Sequence, residues 1–151
     1  MQQALLRNAG DLQFRSSARI ALAGTVENQS TGVLTVHGHI LPSPTGPGTV
    51  RNAGDLRIAS GTLDNGSGNI VALGKLDIRS ADLGNDGGLL QAGDTLSIHA
   101  GSSTVRNANS GSTRGIVAQG PLTIAAGSLV NRGNVSSNGD ISLKTAGLDN
   151  D

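Results

Sequence analysis

Apolar and polar residues alternate along this chain in short runs, each closed by glycine, asparagine, aspartate or serine. One set of runs reads Gly54-Asp55-Leu56-Arg57-Ile58, Gly74-Lys75-Leu76-Asp77-Ile78 and Gly93-Asp94-Thr95-Leu96-Ser97-Ile98. It continues as Gly120-Pro121-Leu122-Thr123-Ile124 and Gly139-Asp140-Ile141-Ser142-Leu143. A shorter run precedes most of these: Asn69-Ile70-Val71-Ala72, Leu89-Leu90-Gln91-Ala92, Gly115-Ile116-Val117-Ala118 and Asn134-Val135-Ser136-Ser137. A period of two with turn-forming residues at both ends predicts short strands rather than helices.

A third run, an apolar residue, any residue and then asparagine, sets the repeat. It occurs eight times, ending at Asn8, Asn28, Asn52, Asn65, Asn85, Asn107, Asn131 and Asn150. The steps are 20, 24, 13, 20, 22, 24 and 19 residues, about 20 on average, and this motif takes eight of the 12 asparagines. Three strands in about 20 residues leave no room for a helical crossover. The arrangement that satisfies the pattern is an all-β fold, a parallel β-helix or solenoid of about seven coils, each stacked on the one before. At about 4.8 Å per coil it makes a rod of roughly 34 Å. The β-helical segment is expected over residues 6–151, with 1–5 an irregular lead-in or an added start. Leu, Ile, Val and Ala should face inward, with Ile58, Ile78, Ile98, Ile124 and Leu143 stacked. The eight asparagines are expected at equivalent corners, in structural roles. They either form corners by tolerating the left-handed backbone region, or stack as a ladder of amides bonded from coil to coil.

Two places break the period. Three of the four prolines lie in His39-Ile40-Leu41-Pro42-Ser43-Pro44-Thr45-Gly46-Pro47-Gly48. Proline cannot donate to a central ladder, so this segment is expected to leave the sheet as a loop or irregular corner. The 24-then-13 spacing around it suggests one unevenly divided coil. The second break is the polar insertion Ala108-Asn109-Ser110-Gly111-Ser112-Thr113-Arg114. Insertions into a solenoid become loops on one side, so Pro42, Ser43, Pro44, Thr45 and Pro47, with Asn109, Ser110, Ser112, Thr113 and Arg114, are the candidate contact residues.

Composition narrows the chemistry. The 23 glycines and four prolines make about 18% of the chain, below the level that marks disorder, and Leu, Ile, Val and Phe make about 25%, enough for a core. Eleven basic side chains balance 11 acidic ones, and Phe14 is the sole aromatic. A nucleic-acid partner is therefore not expected, since both the basic footprint and the stacking platforms are missing. No run approaches the length of a membrane-spanning helix. With no cysteine there are no disulfides, thiolate metal sites or thiol nucleophiles. His37 and His39 share a strand face but have no carboxylate near in sequence, so no metal is expected. Asp55, Asp94 and Asp140 recur in one Gly-Asp slot and read as turn formers rather than an acid/base pair. No catalytic residue and no cofactor are expected.

The fullest copy of the repeat runs Leu83-Gly84-Asn85-Asp86-Gly87-Gly88-Leu89-Leu90-Gln91-Ala92-Gly93-Asp94-Thr95-Leu96-Ser97-Ile98-His99-Ala100. It resembles the haemagglutinin repeats of the filamentous haemagglutinin family, bacterial exoproteins exported by two-partner secretion, and the resemblance extends from about Leu6 to Asn150. It implies a right-handed β-helical shaft, secreted or on the cell surface, as in adhesins and the sticks of contact-dependent growth-inhibition proteins. It further implies an internal fragment of a longer exoprotein, because the Asn-Pro-Asn motifs of the family's secretion domain do not occur here. Its partners would be a host or neighbouring cell surface and, through the secretion domain, an outer-membrane transporter. The competing function is a β-helical polysaccharide lyase or hydrolase. That reading needs clustered carboxylates and usually aromatic sugar platforms, which this sequence does not offer.

Overall fold

The computed structural model describes residues 48–151 in full and, before them, the backbone of four strands at 5–8, 12–22, 25–28 and 34–42. The strands in chain order are β1 (Leu5–Asn8), β2 (Leu12–Leu22), β3 (Thr25–Asn28), β4 (Leu34–Pro42), β5 (Thr49–Asn52), β6 (Leu56–Asp64), β7 (Asn69–Ala72) and β8 (Leu76–Asp86). They continue as β9 (Leu89–Ala92), β10 (Leu96–His99), β11 (Thr104–Ala108), β12 (Gly115–Ala118), β13 (Leu122–Arg132), β14 (Val135–Ser137) and β15 (Ile141–Asn150). All pair in parallel, in two sheets. One sheet stacks the short strands in the order β1-β3-β5-β7-β9-β12-β14, and the other stacks the long ones. The chain is a β-solenoid, with no helix among the described residues. The fully described stretch makes five turns, β5–β6 through β14–β15, against about seven counted from the sequence over the whole chain.

Each turn has two strands where the sequence pattern suggested three. The Leu-x-Ile run and the following Leu-x-Asn run are one continuous strand that bends at small residues, such as Ser60-Gly61 in β6 and Ala126-Gly127 in β13. Hydroxyls hold the bend. Ser60, Ser80 and Thr145 each donate to the carbonyl two residues on, at Thr62, Asp82 and Gly147. Only between β10 and β11 does the strand break, where Gly101 takes φ of +59°.

The core is a set of columns running along the rod. Leu56, Leu76, Leu96 and Leu122 stack in register, as do Ile58, Ile78, Ile98 and Ile124. Leu63, Leu83, Val105 and Leu129 form a third column, and Val50, Ile70, Leu90 and Ile116 of the short sheet a fourth. All are at most 2% exposed, and burying one such side chain contributes about 1.5–3 kcal/mol. Leu143 is in register with Ile124 but is 42% exposed, because no described strand covers β15.

The asparagines occupy two columns rather than one. Asn8, Asn28 and Asn52 lie in register on the short sheet, where the column continues as Ala72, Ala92 and Ala118. Asn85, Asn107, Asn131 and Asn150 lie in register on the long sheet, with Asn65 directly after β6. The 13-residue step from Asn52 to Asn65 is therefore a move from one sheet to the other within a turn, not an uneven coil. The proline segment also differs from expectation. His39–Pro42 remain in β4, with Pro42 opposite Leu22 of β2. Pairing of β4 to β6 ends at Ile40, so Pro42 has a strand neighbour on one side only, a position that tolerates a missing N–H. Ser43, Pro44, Thr45 and Pro47 lie outside the described residues.

Candidate contact surface

Inside the rod, the long-sheet asparagines form a hydrogen-bonded chain. The Asn65 amide donates to Asn85 Oδ1 at 2.8 Å, Asn85 to Asn107 at 2.9 Å, Asn107 to Asn131 at 2.8 Å and Asn131 to Asn150 at 2.7 Å. The same amides also close corners: Asn65 Nδ2 donates to Gly68 O at 3.1 Å and Asn85 Nδ2 to Gly88 O at 3.3 Å. Asn52 does likewise on the short sheet, donating to Asp55 O at 2.6 Å. One side chain thus makes both a ladder bond and a corner bond, but the left-handed backbone expected of corner formers is not adopted by these asparagines: among the described non-glycine residues only Asn109 has a positive φ. Asn85 and Asn107 are fully buried, so these amides are wall and not contact surface. Asn65, the first residue of an Asn-x-Ser sequon, is committed to this ladder as well. The side chains of Asn8 and Asn28 lie outside the described residues.

The polar insertion is more tightly held than its composition suggests. Asn109 sits at φ of +52° and its amide donates to Asp86 Oδ1 of the turn before, at 2.5 Å. Ser110 is buried, and its hydroxyl accepts the backbone N–H of Asn134 at 2.6 Å. Arg114 reaches back to an earlier corner, where one guanidinium nitrogen donates to Ser67 O at 2.6 Å, Gly68 O at 3.1 Å and Asn69 Oδ1 at 3.0 Å. Of the five insertion candidates, Asn109, Ser112 and Thr113 are exposed, and of these Asn109 is tied to Asp86, which leaves Ser112 and Thr113, beside Gly111, as the outward pair.

A second outward feature was not singled out from the sequence. A cleft of about 300 Å³ runs across β6, β8 and β10 on the outer face of the long sheet. Its lining includes Arg57, Lys75, Asp77, Arg79, Ser97 and His99. Asp55 accepts the Lys75 backbone N–H at 2.8 Å, and Asp77 faces Arg79 at 3.6 Å. Arg57 and Lys75 have no ion pair among the described residues. The signal was available: positions 55, 75 and 95, and positions 57, 77 and 97, are one repeat apart and fall on polar sites of the alternation, so they rise in columns on the outside. Among the described residues no group of three or more metal-ligating side chains comes together. Asp55, Asp94 and Asp140 remain distributed over separate turns.

Comparison with known proteins agrees with this architecture. The family model described as haemagglutinin repeat matches residues 2–41, 42–117 and 117–151. No curated protein and no solved structure matches.

Proposed function

The chain belongs to the filamentous haemagglutinin family through its haemagglutinin repeats, and from that premise we propose that it is a non-catalytic, rigid spacer that carries adhesive contacts away from a bacterial surface. The observation that supports this reading is the continuity of the columns. Four apolar columns and one asparagine column pass through the described turns without a site interrupting them. Such a stack grows in length with each repeat, and each repeat contacts only its neighbours. Its interior is used up in holding the rod together, and recognition is left to what protrudes.

In this reading the parent exoprotein is exported through an outer-membrane two-partner-secretion transporter and the shaft stands secreted or at the cell surface. The absence of cysteine suits passage through an oxidising compartment in an unfolded state, where thiols would cross-link. Contact with a host or neighbouring cell is made by the Ser112–Thr113 tip and by the Pro42–Pro47 segment.

The test is binding of the purified chain to epithelial cells and to a glycan array. It is run beside one variant with Pro42–Pro47 replaced by a short Gly-Ser turn and another with Ser112 and Thr113 changed to glycine. Saturable binding that one or both variants lose supports adhesion through these loops. Saturable binding that both retain contradicts the loop assignment, and no binding by any of the three leaves the spacer role alone. Incubation with uronate and neutral polysaccharides checks the non-catalytic part: released reducing ends or unsaturated products would overturn it.

A further inference from the structure

The outer cleft of the long sheet lies on the wall of the rod. β6 runs between β4 and β8, β8 between β6 and β10, and β10 between β8 and β13, so every strand that lines it is paired on both sides. Asp77 stands at its centre. In the ladder register it is opposite Arg57 of β6 and Ser97 of β10, and Lys75 and Arg79 flank it two residues before and after. The side chains around it are uncommitted. Lys75 reaches Asp55 only through its backbone N–H, and Arg57 has no ion pair among the described residues. One oxygen of Asp77 is shielded from water with no donor among the described residues, and the other is 3.6 Å from Arg79 Nε, longer than a hydrogen bond. A carboxylate held in this way can turn about its last, broad torsion into the cleft without breaking a bond.

We propose that this cleft binds a sugar ring carrying a single carboxylate, of the uronate or sialate kind. Its volume of about 300 Å³ is at the small end of ligand pockets and suits one such ring. The planar guanidiniums of Arg57 and Arg79 match a planar carboxylate as a point charge does not, and charge-assisted bonds are about twice as strong as neutral ones. Ring hydroxyls both donate and accept. Asp77 accepts and the Ser97 hydroxyl does either, so the groups beside the carboxylate find partners as well.

The charges also set what the cleft rejects. Arg57, Lys75 and Arg79 against Asp55 and Asp77 leave one net positive charge, His99 aside, so one carboxylate neutralises the site. A densely sulfated sugar brings several charges and is repelled by the two aspartates. A neutral sugar brings none, and no aromatic face lines the cleft to hold it by stacking. The site shares no residue with the loops assigned to cell contact, and it binds the sugar without cleaving it.

The test is a titration of the isotope-labelled chain with galacturonate, N-acetylneuraminate, galactose and a sulfated heparin disaccharide, followed through its amide resonances. The expected result is that at least one of the two carboxylated sugars shifts amides at 55–57, 75–79 and 95–99 and saturates with a Kd of about 0.1–10 mM. The acid that saturates at the lower concentration identifies the source of the carboxylate. Galactose should shift none of these amides, and the sulfated sugar should bind more weakly than the preferred acid. Arg57→Ala should weaken binding by at least about fivefold. Asp77→Ala should weaken it by about threefold, because the lost bond outweighs a repulsion relieved across solvent. General attraction of an anion to a basic patch would instead grow stronger in that variant. Both side chains are on the outer face, and an unchanged remainder of the spectrum shows that each variant is folded. No saturation by either acid up to about 50 mM overturns the proposal. So does saturation outside these segments, equal binding of galactose, tighter binding of the sulfated sugar, or tighter binding by Asp77→Ala. None of these results decides the loop reading, which the cell-binding experiment tests by itself.

Discussion

Asn85 carries three hydrogen bonds from a site with no solvent: it accepts from Asn65, donates to Asn107 and donates to Gly88 O. A buried amide in such a chain costs more to remove than one bond is worth, because its neighbours are left without partners. Asn85→Ala is expected to lower stability by about 2 kcal/mol, read as a shift in urea midpoint. Asn150→Ala, at the exposed end of the same ladder, should cost less than about 0.5 kcal/mol. Equal costs for the two would mean that the asparagines act only by shaping their corners. The apolar columns allow a parallel comparison. Ile98→Asp places an unpaired charge where exposure is 0% and should cost more than about 3 kcal/mol. Leu143→Asp, in the same column but half open to water, should cost under about 1 kcal/mol.

At the scale of the elements, the corners decide which substitutions the rod tolerates. Gly115 opens β12 at φ of +103°, and a Cβ there would collide with the backbone carbonyl of Asn134 in the next turn. Gly111 also has positive φ, at +58°, but a Cβ there would meet nothing. Gly115→Ala is therefore expected to destabilise by more than about 3 kcal/mol, and Gly111→Ala by about 1 kcal/mol, both measured by urea unfolding. Arg114→Ala removes the strap between the insertion and the Ser67–Asn69 corner. Hydrogen exchange should then quicken at 109–114 while protection in β12 and β13 is kept. The strands themselves were legible in the sequence, because alternation and glycine corners report directly on a half-buried pleat. The joining of two runs into one bent strand was not, because Ser60-Gly61 looks the same as a turn until the neighbouring turn's ladder is seen to run through it. The insertion was legible as a loop. That Ser110 and Arg114 are spent inside the structure was not, because their partners lie 24 and about 46 residues away.

For the whole molecule, the repeat period carried most of the answer. A motif returning about every 20 residues with no helix-length segment between copies fixes parallel stacking before any coordinate is known. The period did not distinguish two asparagine columns from one. Asn52 and Asn65 carry the same local motif and differ only in which sheet they enter. The outer cleft escaped for a related reason: its charged residues are ordinary one by one and become a feature only when three turns are laid over one another. The account as a whole rests on that overlay, and paired cysteines test it most directly in a chain that has none of its own. Ser97 of β10 lies opposite Thr123 of β13, and Thr123 opposite Ser142 of β15. Adjacent parallel strands are about 4.8 Å apart, within the span of a disulfide, and two turns are about twice that, beyond it. Under mild oxidation the Ser97→Cys/Thr123→Cys chain should close a disulfide within one molecule, and the Ser97→Cys/Ser142→Cys chain should not. Failure of the first pair to close, or equal closure of both, would contradict the stacked solenoid and with it the shaft.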